Sequence, residues 1–180
     1  MNALKTIDTM SEAERQLDLF NLGDRLNALE WLSKNCKLYS ESVPEQINMH
    51  IHSFFSYNAN GFSPSHIAWK AHKHGLYAAG LCDFDVLDGI EEFLTAALML
   101  QLRATVSLET RVFVSEYSES EINSPGEPGV MYIMGAGFAR QPEEHSQETV
   151  TLREYRQQAN NRNAELVGRI NAEVPEIAIN

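Results

Sequence analysis

The sequence has few cysteines and no long apolar run. Cys36 and Cys82 are the two cysteines among 180 residues, and neither belongs to a Cys-x-x-Cys pair. A disulfide scaffold and a thiolate zinc site are therefore not expected, and we predict that both cysteines are buried as small hydrophobes. No run of about eighteen apolar residues is present, and the N-terminal segment lacks the apolar stretch of a signal peptide. We therefore predict a cytoplasmic protein with no membrane contact.

Basic residues are also scarce. The chain has 14 Lys and Arg against 25 Asp and Glu, which gives a net charge of −11. A protein that follows a nucleic-acid backbone needs a basic surface, so the sequence argues against general nucleic-acid binding. The 43% hydrophobic and 22% charged content is that of a soluble globular protein. A chain of this length can form one domain with a real core, or part of a larger one.

Residues 1–44 are predicted to form an N-terminal helical extension. Ser11 and Glu14 have the spacing of a capping box. Leucines then recur every three or four residues, at Leu19, Leu22, Leu26, Leu29 and Leu32. This pattern predicts one amphipathic helix that ends near Asn35 and packs on the outside of the following domain, residues 45–180.

Strands and helices alternate in that domain. Short apolar runs at 47–55, 76–81, 104–109 and 130–138 predict four strands, and an acidic segment with Gly and Pro at 115–129 predicts an exposed loop. Up to the third strand, the pattern is typical of consecutive βα units in a parallel sheet or barrel. Periodicity alone does not distinguish the sheet from the barrel.

Three capping signals mark the starts of helices. They are Ser63 followed by Pro64, Asp88 with Glu91, and Thr151 with Glu154. Gly75 is predicted to end the first of these helices. The apolar face of the second is predicted to contain Ile90, Phe93, Leu94, Ala97 and Leu98. The buried side of the last is predicted to contain Leu152, Tyr155, Ala159, Leu166 and Ile170.

Imidazole and carboxylate groups lie in or directly after three successive predicted strands. His50 and His52 belong to the first, Asp83 and Asp85 follow the second, and Glu109 ends the third. The carboxyl ends of parallel strands meet at one rim, so we expect these side chains to lie close together. Neutral imidazoles mixed with carboxylates suit zinc, manganese or iron. The sequence therefore predicts a metal site at this rim.

Structural explanations are available for the same residues. The two histidines could be a solvated pair at a strand end, and Asp83 and Asp85 could cap the loop before the second helix. Glu109 could pair with Arg111, which is two residues away and on the same strand face. Arg111 could instead bind a phosphate bidentately or pair with the acidic loop.

The segments "NMHIHSFFSYNANGFSPSHIAWKAHKHGLYAAGLCDFDVLDGIEEF" and "VSLETRVFV" resemble the PHP (polymerase and histidinol phosphatase) superfamily of metal-dependent phosphoesterases. The resemblance covers about residues 47–138. It implies a distorted (β/α)7 barrel with up to three divalent ions at the carboxyl rim, which hydrolyses phosphate esters with metal-activated water. His50 and His52 match the His-x-His ligands of the superfamily, and Glu109 matches its bridging glutamate.

The chain departs from the superfamily pattern at several positions. Tyr57, Phe84 and Tyr132 stand where the superfamily has metal ligands, and Ser107 replaces a glycine. A phenyl ring offers no ligand atom, and a tyrosine hydroxyl is not among the usual ligands of zinc or manganese. The ligands that remain surround one metal position, and the last ligands of the superfamily have no counterpart in this sequence.

We therefore predict an α/β fold, a PHP-like distorted (β/α)7 barrel that is incomplete at its C-terminus. The predicted function is metal-dependent hydrolysis of a small phosphorylated substrate, with a single zinc, manganese or iron ion held by His50, His52 and Glu109. Asp83, Asp85 and Arg111 are the predicted catalytic residues. The alternative is a catalytically degenerate PHP-like binding or scaffolding module. An incomplete barrel also predicts self-association, or a C-terminal segment of a longer barrel that is missing from this sequence.

Overall fold

The computed structural model describes residues 7–36, 43–56, 59–174, 176 and 179. The chain forms two compact units, residues 1–141 and 142–180. The predicted domain boundary between residues 44 and 45 stays a prediction. Within the described ranges, no helix is long and apolar enough to cross a membrane.

The described residues of the first unit form four helices, four strands and a short 3-10 helix. In chain order these are α1 (Met10–Gln16), α2 (Leu22–Asn35), β1 (Val43–Ile51), α3 (Pro64–Lys73), β2 (Leu76–Phe84), α4 (Ile90–Met99), β3 (Arg103–Phe113), the 3-10 helix (Ser115–Tyr117) and β4 (Val130–Ala136). The second unit contains α5 (Gln147–Glu173). The prediction of an α/β fold is confirmed.

The strands form one sheet in the order β1-β2-β3-β4. Strands β1, β2 and β3 are parallel, and helices α3 and α4 connect them, as the alternating pattern predicts. Strand β4 is antiparallel to β3. The described residues thus contain a curled α/β sheet with two βα units, and they do not show a complete (β/α)7 barrel.

Helix α3 begins and ends where the sequence predicts. The Ser63 hydroxyl accepts the His66 backbone N–H at 3.0 Å, and Pro64 occupies the first turn. Gly75 follows the helix with φ of 70°, a left-handed conformation that favours glycine. The buried face of α3 includes Trp69, which is 0% exposed.

The core lies between the sheet and helices α3 and α4. Its largest fully buried side chains include Trp69, Phe93, Ile90, Leu81 and Val106. Helix α2 is attached to this core by a buried ion pair, in which the Arg25 guanidinium donates to both Glu92 carboxylate oxygens at 2.8 and 2.6 Å. Glu92 also accepts the backbone N–H and the hydroxyl of Ser65. The pair therefore joins α2, α3 and α4.

The prediction of a single N-terminal helix was wrong. The capping box is formed by Thr9 and Glu12 and begins the short helix α1, whereas α2 has its own cap at Asn21. Glu14 has a different role, because its carboxylate accepts the Trp69 indole N–H at 2.8 Å and the Lys73 ammonium at 2.7 Å. These partners are far away in sequence, so local spacing gives no sign of them.

Two other predicted caps were also wrong. Helix α4 begins after Gly89 with no side-chain cap, and its predicted face is only partly buried, because Leu98 is 80% exposed. Helix α5 begins earlier than expected, with Ser146 as its cap, and none of its side chains is buried. An amphipathic pattern shows which face of a helix could be buried, but burial requires a neighbour.

The cysteine prediction is confirmed for one residue. Cys82 is buried, whereas Cys36 is half-buried, and both are free thiols.

Candidate metal centre

The histidine pair lies where β1 ends. His50 is the second-last residue of β1, which ends at Ile51, and His52 is the first residue after the strand. The predicted strand to residue 55 is therefore too long. Both imidazoles nevertheless turn toward β3, where Glu109 lies within the strand.

Three side chains converge at this edge of the sheet. The Nε2 atom of His50 lies 2.9 Å from Oε2 of Glu109, and Nε2 of His52 lies 3.6 Å from the same oxygen. One ligand atom from each of the three residues lies within 4.8 Å of the others. The structure thus brings together the three residues that the sequence predicts as metal ligands.

The spacing of these atoms fits a metal ion. Two ligand atoms of a tetrahedral zinc site are about 3.3 Å apart when each lies about 2.0 to 2.1 Å from the ion. The distances of 2.9 and 3.6 Å bracket that value, and the shorter one is also that of a hydrogen bond between His50 and Glu109. The side chains of His52 and Glu109 are 15% and 11% exposed, whereas that of His50 is 45% exposed. The group could therefore hold an ion with one side open to solvent.

The protonation of His52 also suits a ligand. Burial lowers the pKa of His52, the adjacent His50 lowers it further, and Glu109 opposes both effects. The neutral imidazole is the form that can coordinate a metal, because its nitrogen keeps a free electron pair. His52 therefore meets the chemical requirement for ligation at neutral pH.

His50 and Glu109 meet across an intervening strand. Strand β2 lies between β1 and β3, so the two outer strands are about 10 Å apart. Two features of β2 suit this approach. Cys82, whose register partner on β3 is Ser107, offers only a small side chain, and Gly80 lets the backbone of Met49 come close. A Cβ atom on Gly80 would lie 2.6 Å from the Met49 carbonyl oxygen.

Asp83 does not join the three-residue group. Successive strand residues point to opposite faces, so Asp83 and Phe84 are on different sides of β2, and Phe84 is the register partner of Glu109. The Asp83 carboxylate accepts the Ser53 backbone N–H at 2.6 Å and the Ser53 hydroxyl at 2.7 Å. Burial raises the pKa of Asp83, although the bonds from Ser53 oppose this shift. Asp83 therefore holds the start of the loop that follows His52 against β2.

Asp85 also has a structural contact. It lies one residue beyond β2 in a left-handed conformation with φ of 57°, and its carboxylate accepts the Thr110 hydroxyl at 2.6 Å. Its backbone N–H donates to the carbonyl oxygen of Glu109. Neither Asp83 nor Asp85 caps the loop before α4 through these bonds. Their catalytic role stays a prediction.

Arg111 pairs with the acidic loop. Its guanidinium forms an ion pair with Glu127 and lies 5.7 Å from the centre of the Tyr132 ring. Of the two ion pairs that the sequence allows, this one is present and a pair with Glu109 is not among the described contacts. The phosphate-binding role of Arg111 stays a prediction.

An aromatic stack that the strand pattern did not predict lies beside the site. The Phe84 ring lies parallel to the His52 ring, with centroids 4.7 Å apart and an angle of 11° between the planes. Phe84 also touches the Tyr132 ring edge to face at 5.9 Å. Phe84 pairs with Glu109 and Tyr132 with Arg111, so both rings lie on the sheet face that carries Glu109, but this pairing cannot be read from the strand sequences alone. Tyr57 lies outside the described residues.

Comparisons with known proteins give one weak similarity. No family model and no curated protein matches the chain. Among solved structures, the chain is similar to a protein from Bifidobacterium adolescentis that is provisionally described as a metal-dependent phosphoesterase, with 27% identity and a TM-score of 0.36. The match covers 41% of this chain and 25% of that chain. The TM-score is too low to establish a shared fold or family.

Proposed function

We propose that this chain is a metal-dependent phosphoesterase of the PHP type, with one divalent ion held by His50, His52 and Glu109. The observation that carries the proposal is the convergence of these three side chains on one point, at distances that suit coordination. The residues are also those that match the ligands of the PHP pattern. In this proposal the sheet is the N-terminal part of a PHP-like (β/α)7 barrel.

The donor set suits zinc, manganese or iron, because it combines two imidazoles with one carboxylate. A divalent ion bound there would lower the pKa of a coordinated water to about 7 and polarise a phosphoryl oxygen. His52 and Glu109 form the buried side of the site, and the more exposed His50 borders solvent. A small phosphorylated substrate would therefore approach past His50.

Two of the predicted catalytic residues, Arg111 and Asp85, would have to leave their present partners before they could contact a substrate. Arg111 is 34% exposed and would bind a phosphate only after it leaves Glu127. Asp85 would reach substrate only after it releases Thr110. For Asp83 we propose a positioning role, because it is 2% exposed and holds Ser53, the residue next to His52.

One observation favours the binding-module alternative. Phe84 and Tyr132 stand at two ligand positions of the PHP pattern, and their rings lie together beside His52 without offering an imidazole or carboxylate to a second ion. Hydrolysis with one ion lacks the second cation that stabilises a leaving oxygen in two-metal sites. We therefore expect slow turnover if the chain is an enzyme.

Metal content and hydrolysis test the proposal together. Purified protein is analysed for bound metal, titrated with Zn²⁺ and Mn²⁺, and assayed with an aryl phosphomonoester and an aryl phosphodiester. His50→Ala, His52→Ala and Glu109→Gln should each lose metal and turnover. His74→Ala is the matched control, because His74 is exposed at the end of α3 and should change neither quantity.

The two functions predict different results. Metal-dependent turnover that the three site variants abolish would support the phosphoesterase. Stoichiometric metal with no turnover would favour the binding module. Metal binding that is unchanged in all three variants would refute the proposed phosphoesterase, since that function places the ion on these residues.

A further inference from the structure

We propose that Phe84 is a positioning residue of the metal centre, which fixes the His52 imidazole so that its Nε2 atom faces Glu109. This inference rests on the proposed metal role of His52. Phe84 cannot itself bind a metal. In the PHP ligand pattern its position would count only as a missing metal ligand.

The first support is the geometry of the stack. The rings of Phe84 and His52 are nearly parallel, at 11°, and their centroids are 4.7 Å apart. An imidazole without such a neighbour can turn about its side-chain torsions and present either nitrogen or neither. The stack limits the imidazole to one ring plane, and in that plane Nε2 of His52 lies 3.6 Å from the Glu109 carboxylate.

The second support is that Phe84 is itself held firmly. It is 8% exposed, it is the last residue of β2, and its backbone is in register with Glu109 on β3. Its ring also contacts the Tyr132 ring at 5.9 Å. A side chain fixed on one side by the sheet and on another by Tyr132 can act as a rigid support for His52.

A second contact reaches the other nitrogen of His52. The Phe84 backbone N–H donates to the Ser56 hydroxyl oxygen at 2.9 Å, and that oxygen lies 3.4 Å from Nδ1 of His52. When Nε2 coordinates a metal, Nδ1 carries the proton and needs an acceptor. The Ser56 oxygen is placed to accept it, but the contact is long, so we assign the larger restraint to the ring.

The ring and the acceptor can be separated by substitution. Phe84→Leu removes the ring and keeps the backbone N–H that holds Ser56, whereas Phe84→Tyr keeps a six-membered ring. We expect zinc affinity about 10-fold weaker for Phe84→Leu, the usual effect of losing a residue that orients a ligand. Phe84→Tyr should bind zinc like the parent chain, and Ser56→Ala should show a smaller loss than Phe84→Leu.

The experiment has a metal arm and a metal-free arm. In the first, metal-free protein competes with a chelator for Zn²⁺. His52→Ala is the ligand variant, and Phe113→Leu is the matched control, because Phe113 is 64% exposed at the end of β3.

In the metal-free arm, NMR follows the carbon-bound ring protons of His52. The Phe84 ring current should shift them in the parent and in Phe84→Tyr, and Phe84→Leu should remove the shift. Phe84→Met is the second ringless variant if Leu lowers stability.

The outcomes distinguish this inference from the proposed function. Zinc binding that is lost in His52→Ala and about 10-fold weaker in both ringless variants would support it. Zinc binding that is lost in His52→Ala but unchanged in the ringless variants would overturn it and leave the metal site intact. If His52→Ala binds zinc like the parent, the proposed function fails. Ring protons of His52 that do not move in Phe84→Leu would overturn the inference whether or not a metal binds.

Discussion

At the scale of single residues, the two faces of β2 give Asp83 and Phe84 different surroundings. Side chains alternate along a strand, so Phe84 shares the face of Glu109 and Asp83 does not. Asp83 instead accepts the backbone N–H and the hydroxyl of Ser53, in the segment that follows β1.

The buried carboxyl group of Asp83 predicts a pH-dependent stability. Burial raises its native pKa above the ordinary value of 3.8. The native state then binds the proton more tightly than the unfolded state, so this stabilisation is full below pH 3.8 and is lost as the pH rises through the native pKa. Asp83→Asn has no such proton. The unfolding free energy of the parent minus that of the variant should therefore fall as the pH rises from 3.8, and then level off.

Urea unfolding of metal-free protein between about pH 4 and 7 measures this difference. At neutral pH, Asp83→Asn should lie within about 1 kcal/mol of the parent, because an amide can still pair with both groups of Ser53. Asp83→Ala is the contrasting variant and should cost about 1 to 3 kcal/mol, since Ser53 is 0% exposed and would lose its partner. A difference that increases with pH would contradict the burial of this carboxyl group as the cause of its raised pKa.

The sequence predicts the three-residue metal group better than the role of Asp83. Parallel strands bring their carboxyl ends to one rim, so His50 and His52 could be predicted to meet Glu109. Position along the strands does not distinguish Asp83 from these residues. The hydrogen bonds that hold Asp83 join β2 to Ser53, far away in sequence, and leave no local pattern.

At the scale of elements, the close approach of β1 to β2 sets the position of His50. The register between these strands shifts between Asn48 and Ile51, the stretch that contains His50. Gly80 lies against the Met49 backbone at that point. The sequence predicts both strands, because their apolar runs are clear, but register shifts depend on contacts between strands and are not visible in either run.

Gly80→Ala tests this element. The added Cβ would lie 2.6 Å from the Met49 carbonyl oxygen and 2.7 Å from its Cα atom, so the two strands must separate. We expect a loss of about 1 to 3 kcal/mol in the unfolding free energy. Zinc should also bind more weakly, because His50 follows Met49 directly. Denaturant unfolding and zinc titration measure the two effects.

Gly168→Ala is the matched control for this substitution. A Cβ at Gly168 in α5 would meet nothing within 4 Å. Alanine is a better helix former than glycine, so this change should stabilise the chain by up to about 1 kcal/mol and leave zinc binding unchanged. If Gly80→Ala and Gly168→Ala had the same unfolding free energy and the same zinc affinity, the close approach of β1 to Gly80 would not position His50.

At the scale of the whole molecule, both edges of the sheet are exposed. Gln46 to His50 on β1 and Ile133 to Ala136 on β4 are all exposed, and they include the apolar Ile47 at 57% and Met134 at 58%. The alternating pattern could predict a sheet of parallel strands. It could not predict the antiparallel β4, because direction depends on how the segment after β3 returns.

These edges predict concentration-dependent self-association through strand pairing, because an exposed apolar edge strand offers unpaired backbone groups to a second copy. A lysine on an edge opposes such pairing, so Ile47→Lys or Ile133→Lys should shift the chain toward monomer. Size-exclusion chromatography with light scattering at two protein concentrations measures this shift.

Leu98→Lys is the matched control, since Leu98 is apolar and 80% exposed but lies on helix α4. Association that both edge variants retain and only Leu98→Lys abolishes would place the contact on the helical side and refute pairing through the sheet. A chain that is monomeric at both concentrations would remove the prediction altogether.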